Sequence, residues 1–174
     1  GQKASTLREL GKLSSFTLRN QENQTVGLEQ MLGKVSVVNF IFTNCPGVCP
    51  LLTQQMATLE RNTRELGDKV QFISVSVDPE TDTPAVLKKY AEKYEANFSR
   101  WSFLTGPLQD VERVVIAGFK TAMGKGPTAN PDDEPTMMEV THGENFVLVD
   151  SKGTIRSFQT AKNEEELHAL IKNI

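Results

Sequence analysis

Two thiols stand in one short stretch, Phe-Thr-Asn-Cys-Pro-Gly-Val-Cys-Pro at residues 42–50, and they are the only cysteines among 174 residues. Three residues separate Cys45 from Cys49, and a strongly apolar run ends just before them. Thiols so placed form either a redox couple or a metal chelate, because the thiolate is both the nucleophile and the ligand. A structural disulfide explains the pair poorly. Its stabilisation grows with the length of loop closed, and this loop is small. The spacing alone leaves both chemical readings open.

Local physics constrains the pair further. Proline pushes the preceding residue out of the α region, so Cys49, ahead of Pro50, is expected to be extended or capping. Pro50 then suits the first helical position, where its missing N–H costs nothing. A helix N-terminus favours a thiolate by about 0.3–1 kcal/mol, less than the roughly 1.4 kcal/mol that moves a pKa by one unit. The dipole alone therefore leaves the thiols partly protonated at neutral pH, whereas a coordinated metal deprotonates them. Pro46 stiffens the loop, and Gly47 permits an unusual φ between the cysteines.

Other residues join the site only if the fold brings them there. His142 by itself reads as a solvated loop histidine, although imidazole is the commonest metal ligand. Asp78, ahead of Pro79, reads first as a strand-end cap and second as a residue able to influence a nearby metal. Met137 and Met138 are soft donors whose simpler role is packing. His168 reads as a surface residue of the last helix.

The charge balance, 19 basic against 22 acidic residues for a net of −3, contains no basic tract, which argues against nucleic-acid binding. The longest apolar run is too short to span a bilayer, and the first residues do not resemble a secretory signal. Any membrane contact would run through an anchor outside this sequence. The length suits one domain, residues 1–174, with a real core.

The elements that must position these residues follow from patterning. After a polar lead-in at 1–13, segments 16–18 and 24–26 predict a hairpin, and 28–32 a brief helical turn ended by Gly33. Residues 35–42 and 70–77 are apolar runs of the kind that form strands buried on both faces. Between them Leu52, Met56, Leu59 and Leu66 follow helical spacing up to Gly67. Thr83-Pro84 predicts the capped start of a helix with Val86, Leu87, Tyr90, Ala91 and Tyr94 on its apolar face. A short strand at 101–104 and a helix at 107–118 follow. Residues 121–140, rich in glycine, proline and acid, read as an inserted excursion. A strand at 146–149, a turn at 150–153 and a strand at 154–158 form a second hairpin. Asn163 with Glu166 suggests the capping box of a last helix with Leu167, Leu170, Ile171 and Ile174 on one face.

This order predicts an α/β protein with a mixed central sheet flanked by helices, similar to a thioredoxin-like fold. Ligands of such sheets gather beyond the carboxyl ends of parallel strands, where Cys45, Cys49 and Asp78 would stand. A strand after His142 running antiparallel to its neighbour would bring that histidine to the same edge.

Four stretches together resemble the Sco (SenC) family: Thr-Asn-Cys-Pro-Gly-Val-Cys-Pro at 43–50, Ser-Val-Asp-Pro-Glu-Thr-Asp-Thr-Pro at 76–84, Leu-Thr-Gly at 104–106, and His142 ahead of Phe-Val-Leu-Val-Asp at 146–150. The likeness runs from about residue 16 to the C-terminus. It implies a membrane-tethered protein of the periplasm, or of the mitochondrial intermembrane space. It implies copper held by Cys45, Cys49 and His142, with the cytochrome c oxidase copper-site subunit and other copper chaperones as partners. Two thiolates and an imidazole suit both Cu(I) and Cu(II). The family often has Asp before its histidine and Ser or Thr after it, where this chain has Thr141 and Gly143.

A thiol–disulfide oxidoreductase using Cys45 and Cys49 is the alternative. The CxxxC spacing differs from the CxxC usual in thioredoxin-like reductants. The place where thioredoxins put a cis-proline is held here by Thr141-His142-Gly143. A peroxidase fits less well, since Thr43 stands only two positions before Cys45.

Overall fold

The structure, a computed structural model, describes residues 8–44, 48–121, 146–159 and 164–172. In chain order its strands are β1 (Gly11–Lys12), β2 (Thr17–Arg19), β3 (Thr25–Gly27), β4 (Val35–Ile41), β5 (Val70–Ser76), β6 (Trp101–Leu104), β7 (Phe146–Val149) and β8 (Thr154–Gln159). Its helices are α1 (Val48–Asn62), α2 (Pro84–Lys93), α3 (Leu108–Glu112) and α4 (Glu164–Lys172).

Among the described residues six strands make one sheet, ordered β1-β8-β7-β4-β5-β6. β4, β5 and β6 run parallel, whereas β7 is antiparallel to β4, β8 to β7 and β1 to β8. The mixed sheet expected from the sequence is therefore present. Alternation of side chains sends Val37, Ile41, Phe72, Phe103 and Leu148 to one face, against Met56, Leu59, Leu87, Ala91, Leu167 and Ile171. The other face carries Val38, Phe40, Ile73, Val75 and Val149, packed on Val111, Val115 and Phe119 and on Leu13, Leu18 and Met31. Burial on both faces explains why these strands are apolar without alternation.

The predicted N-terminal hairpin forms as β2 and β3. Asn20 Oδ1 accepts from the main-chain N–H groups of Glu22 (2.9 Å) and Gln24 (3.0 Å), which closes the turn. This hairpin also covers the outer edge of β6. Arg19 and Thr105 exchange main-chain bonds at 2.7 and 2.8 Å, and Phe103 N–H donates to Gln21 Oε1 at 3.0 Å.

Several boundaries differ from expectation. The lead-in is not merely polar: Gly11-Lys12 pairs with β8, and Leu13 is buried. α1 begins at Val48, so Cys49 lies within its first turn instead of capping it. Every N–H of that turn lacks an intrahelical acceptor, so Pro50 is tolerated at the third position as at the first. α1 also stops at Asn62, short of Gly67. Thr63 Oγ1 turns back to the carbonyl of Leu59 (2.9 Å), and a 3₁₀ segment, Arg64–Lys69, follows with Gly67 at φ 55°. The helix expected at 107–118 changes character inside: α3 passes into a π-helical turn, Arg113–Gly118, that keeps Val114 and Val115 buried. Asn163 and residues 122–140 of the excursion lie outside the described residues.

Candidate metal centre

Parallel pairing sets one rim of the sheet. Ile41 lies opposite Ser76, and Val77 N–H continues the ladder to the Ile41 carbonyl at 2.8 Å. Beyond these partners β4 leads to Thr43 and β5 to Asp78. A turn then follows in which the N–H groups of Thr81 (3.1 Å) and Asp82 (2.9 Å) donate to the Asp78 carbonyl. The turn delivers Asp82, fully buried, back into the gap between the two strand ends. Its Oδ2 accepts from Thr43 N–H at 3.1 Å and from Ser76 Oγ at 2.7 Å, while Thr43 Oγ1 donates to Oδ1.

The next element is fastened from the other side. α1 starts at this rim, with Cys49 as its second residue, and Thr53 Oγ1 meets Tyr90 Oη of α2 at 2.7 Å in a buried contact. α2 is itself capped by Thr83, whose Oγ1 accepts from Val86 N–H at 3.3 Å. The N-terminal partial charge of α1 is therefore presented at the cysteine loop.

β7 reaches the same rim from the opposite direction. Ser36 faces Val149 and Val38 faces Val147, so Phe146 is the end of β7 nearest the exit of β4. His142 precedes Phe146 by four residues.

Cys45, His142, Met137 and Met138 lie outside the described residues, and of Cys49 the structure describes the helical backbone. Asp78 is half-buried at the rim. Its main chain makes the turn described above, and its N–H donates to Ser76 Oγ at 3.1 Å; both are backbone contacts. His168 is away from this rim, with Nε2 2.9 Å from Glu65 Oε1 beside the start of β5. Among the described residues no group of three His, Cys, Asp or Glu side chains is placed to hold a metal.

Asp82 is the site-region residue that sequence reasoning passed over. It sits in Asp-Pro-Glu-Thr-Asp-Thr-Pro, which carries the family likeness and the start of α2 while giving Asp82 itself no role. The available signal was Thr43 and Ser76, two hydroxyls at the exits of β4 and β5, each needing a partner where the strand ends meet.

Residues 5–174 match the family described as SCO1/SenC. Among known proteins the chain is similar to an SCO1 protein homolog from Bacillus subtilis, 37% identical over 145 residues, which are 83% of this chain and 71% of that protein. It is similar to the solved structure of BsSco, described as a member of the Sco family of cytochrome c oxidase assembly proteins with a disulfide switch. That likeness has a TM-score of 0.79 and 31% identity, covering 99% of this chain and 97% of the other. Bradyrhizobium japonicum ScoI, solved with copper bound, gives a TM-score of 0.76 at 30% identity, covering 93% and 98%. The fold is thioredoxin-like, as the sequence predicted. No helix among the described residues is long and apolar enough to cross a membrane.

Proposed function

The chain belongs to the SCO1/SenC family, and from that premise we propose that it is a copper metallochaperone serving the binuclear copper site of cytochrome c oxidase. Cys45, Cys49 and His142 are the proposed ligands. The observation that carries this reading is the antiparallel pairing of β4 with β7. It makes the chain leave β4 toward the cysteines and enter β7 from the histidine at one rim. The donor chemistry fits the cargo: sulfur prefers Cu(I), and an imidazole beside two thiolates accommodates Cu(II). Copper bound to the relative from Bradyrhizobium japonicum supports the same reading. Asp78, at the same rim, belongs to the surroundings of the metal. The proposed partners are the oxidase copper-site subunit and the copper chaperones that load this protein. Its proposed place is the periplasmic face of the bacterial inner membrane, where it is tethered, with the mitochondrial intermembrane space as the alternative.

Titration of the reduced protein with copper in each oxidation state tests the ligand set. One equivalent should bind, Cu(II) giving visible thiolate-to-metal charge transfer, and His142→Ala should lower the affinity and alter the band. An unchanged affinity and spectrum in that variant would remove His142 from the site.

Thiol–disulfide exchange is the second reading, favoured by the disulfide switch of BsSco. Here Cys45 and Cys49 would be oxidised to a disulfide while a partner disulfide is reduced to two thiols. Reaction with an oxidised copper-site domain no faster than that of a small dithiol would set it aside.

A further inference from the structure

We propose that Asp82 is a positioning residue for the cysteine loop, acting through Thr43, and that α2 with its leading turn grips that loop at both ends. This rests on the copper reading above and names a device that reading does not contain.

On the strand side, the Asp82 carboxylate takes three hydrogen bonds, two from Thr43 and one from Ser76, and so ties together the exit of β4, the end of β5 and the turn before α2. On the helix side, Tyr90 of the same α2 meets Thr53 of α1. Thr43 stands two residues before Cys45, and Cys49 lies in the first turn of α1. Consecutive Cα atoms are about 3.8 Å apart, so a pin at Thr43 bounds the reach of the thiol two steps on. The second thiol is bound to a helix held by the same element. Burying a carboxylate is costly unless it is fully hydrogen-bonded, and apolar residues of similar volume often stabilise as well or better. A buried acid at this position therefore serves placement: Oδ2 bridges Thr43 N–H and Ser76 Oγ, while Oδ1 holds the Thr43 hydroxyl. Ligand orientation of this kind governs metal affinity through groups that never touch the metal.

The test uses Thr43→Val, Thr43→Ser and Asp82→Ala in the whole chain, with Asp150→Asn as a control that weakens the fold at a distant turn. Copper affinity, the Cu(II)–thiolate band and the dithiol–disulfide equilibrium in glutathione buffer are read beside thermal unfolding. Thr43→Val should lose about tenfold in copper affinity and shift the band. Thr43→Ser, which keeps the hydroxyl, should restore both. A loosened loop closes less readily, so disulfide formation should also weaken by about tenfold, which is roughly 30 mV for a two-electron couple. Asp150→Asn should leave affinity, band and potential at the parent values despite its lower stability. Thr43→Val and Asp82→Ala matching the parent in band, affinity and potential would overturn the proposal. If Asp82→Ala fails to fold, the Thr43 pair decides. If the parent binds no copper, the metal reading fails by itself, and the dithiol equilibrium still decides the role of Asp82.

Discussion

Arg100 and Glu60, forty residues apart, meet at 2.8 Å with only 6% and 3% of their side chains exposed. The Arg100 guanidinium also donates to the carbonyls of Glu60 (2.8 Å) and Thr63 (3.0 Å) and lies over the Phe72 ring. It thereby locks the end of α1 to the start of β6. Removing one partner of a buried pair costs about 3–5 kcal/mol; here Glu60 keeps its bonds from Arg64, while the Glu60 and Thr63 carbonyls lose their buried donor. Arg100→Ala should therefore lower the thermal midpoint by about 10 °C, at roughly 2–4 °C per kcal/mol for a chain of this size. A midpoint equal to the parent's would mean that water replaces the arginine at no cost.

Acid should undermine the fold through two carboxylates. Burial pushes Glu60 up, but hydrogen bonds and charge from Arg64 and Arg100 outweigh it and hold the group below its ordinary 4.5. Burial likewise pushes Asp150 up. The N–H groups of Thr154 and Lys152, together with Arg156, bring it below its ordinary 3.8. Groups depressed in the folded state contribute fully above their unfolded pKa and lose that contribution as pH falls through the folded one. Their share of stability should stay level from about pH 7 to pH 5 and fall below about pH 4.5. Urea unfolding across that range measures it. Asp150→Asn should start lower at neutral pH and decline less steeply toward acid, and parallel curves would contradict the assignment to Asp150.

Thr83 is expected to show the ordinary worth of a helix cap. Thr83→Ala leaves Val86 N–H without its side-chain acceptor and should cost about 1 kcal/mol. Thr83→Ser should recover most of it in the same denaturation series.

Gly153 and Gly27 should resist alanine for different reasons. Gly153 has φ +79°, where a Cβ is strained by about 1–2 kcal/mol. A Cβ on Gly27 would instead sit 2.5 Å from the Phe16 carbonyl oxygen, so the β2–β3 hairpin must shift. Alanine at 153 should lower stability without altering hydrogen exchange in β2 and β3, whereas alanine at 27 should speed that exchange.

The central strands were legible because burial on both faces leaves runs that are mostly apolar despite Asn39 and Ser74, and the start of α2 because Thr83-Pro84 pairs a cap with a first-turn proline. Two-residue β1 was not, since Gly11-Lys12 is too short to show a period. Neither was the break after Asn62, where Thr63 just past the helix end bonds back to the Leu59 carbonyl. The Glu60–Arg100 pair and the Asp82 pin share one obstacle. Each joins segments remote in the chain, and a lone charged residue reads as solvated until its distant partner is known. At the rim, the meeting of β4 and β7 followed from the expected topology, whereas the placement of Cys49 inside α1 required the helix to override the bias that Pro50 imposes on its neighbour.

The cover over β6 sets a limit on how the chain can be shortened. Arg19 makes two main-chain bonds to Thr105, just past β6, and Gln21 accepts from Phe103 N–H within it, so a fragment lacking the first hairpin would leave Trp-Ser-Phe-Leu as a naked edge. Bare apolar edges recruit strands from other molecules. A version trimmed to begin at β4 would keep both cysteines and the histidine, yet it would self-associate through a surface that the longer chain never offers.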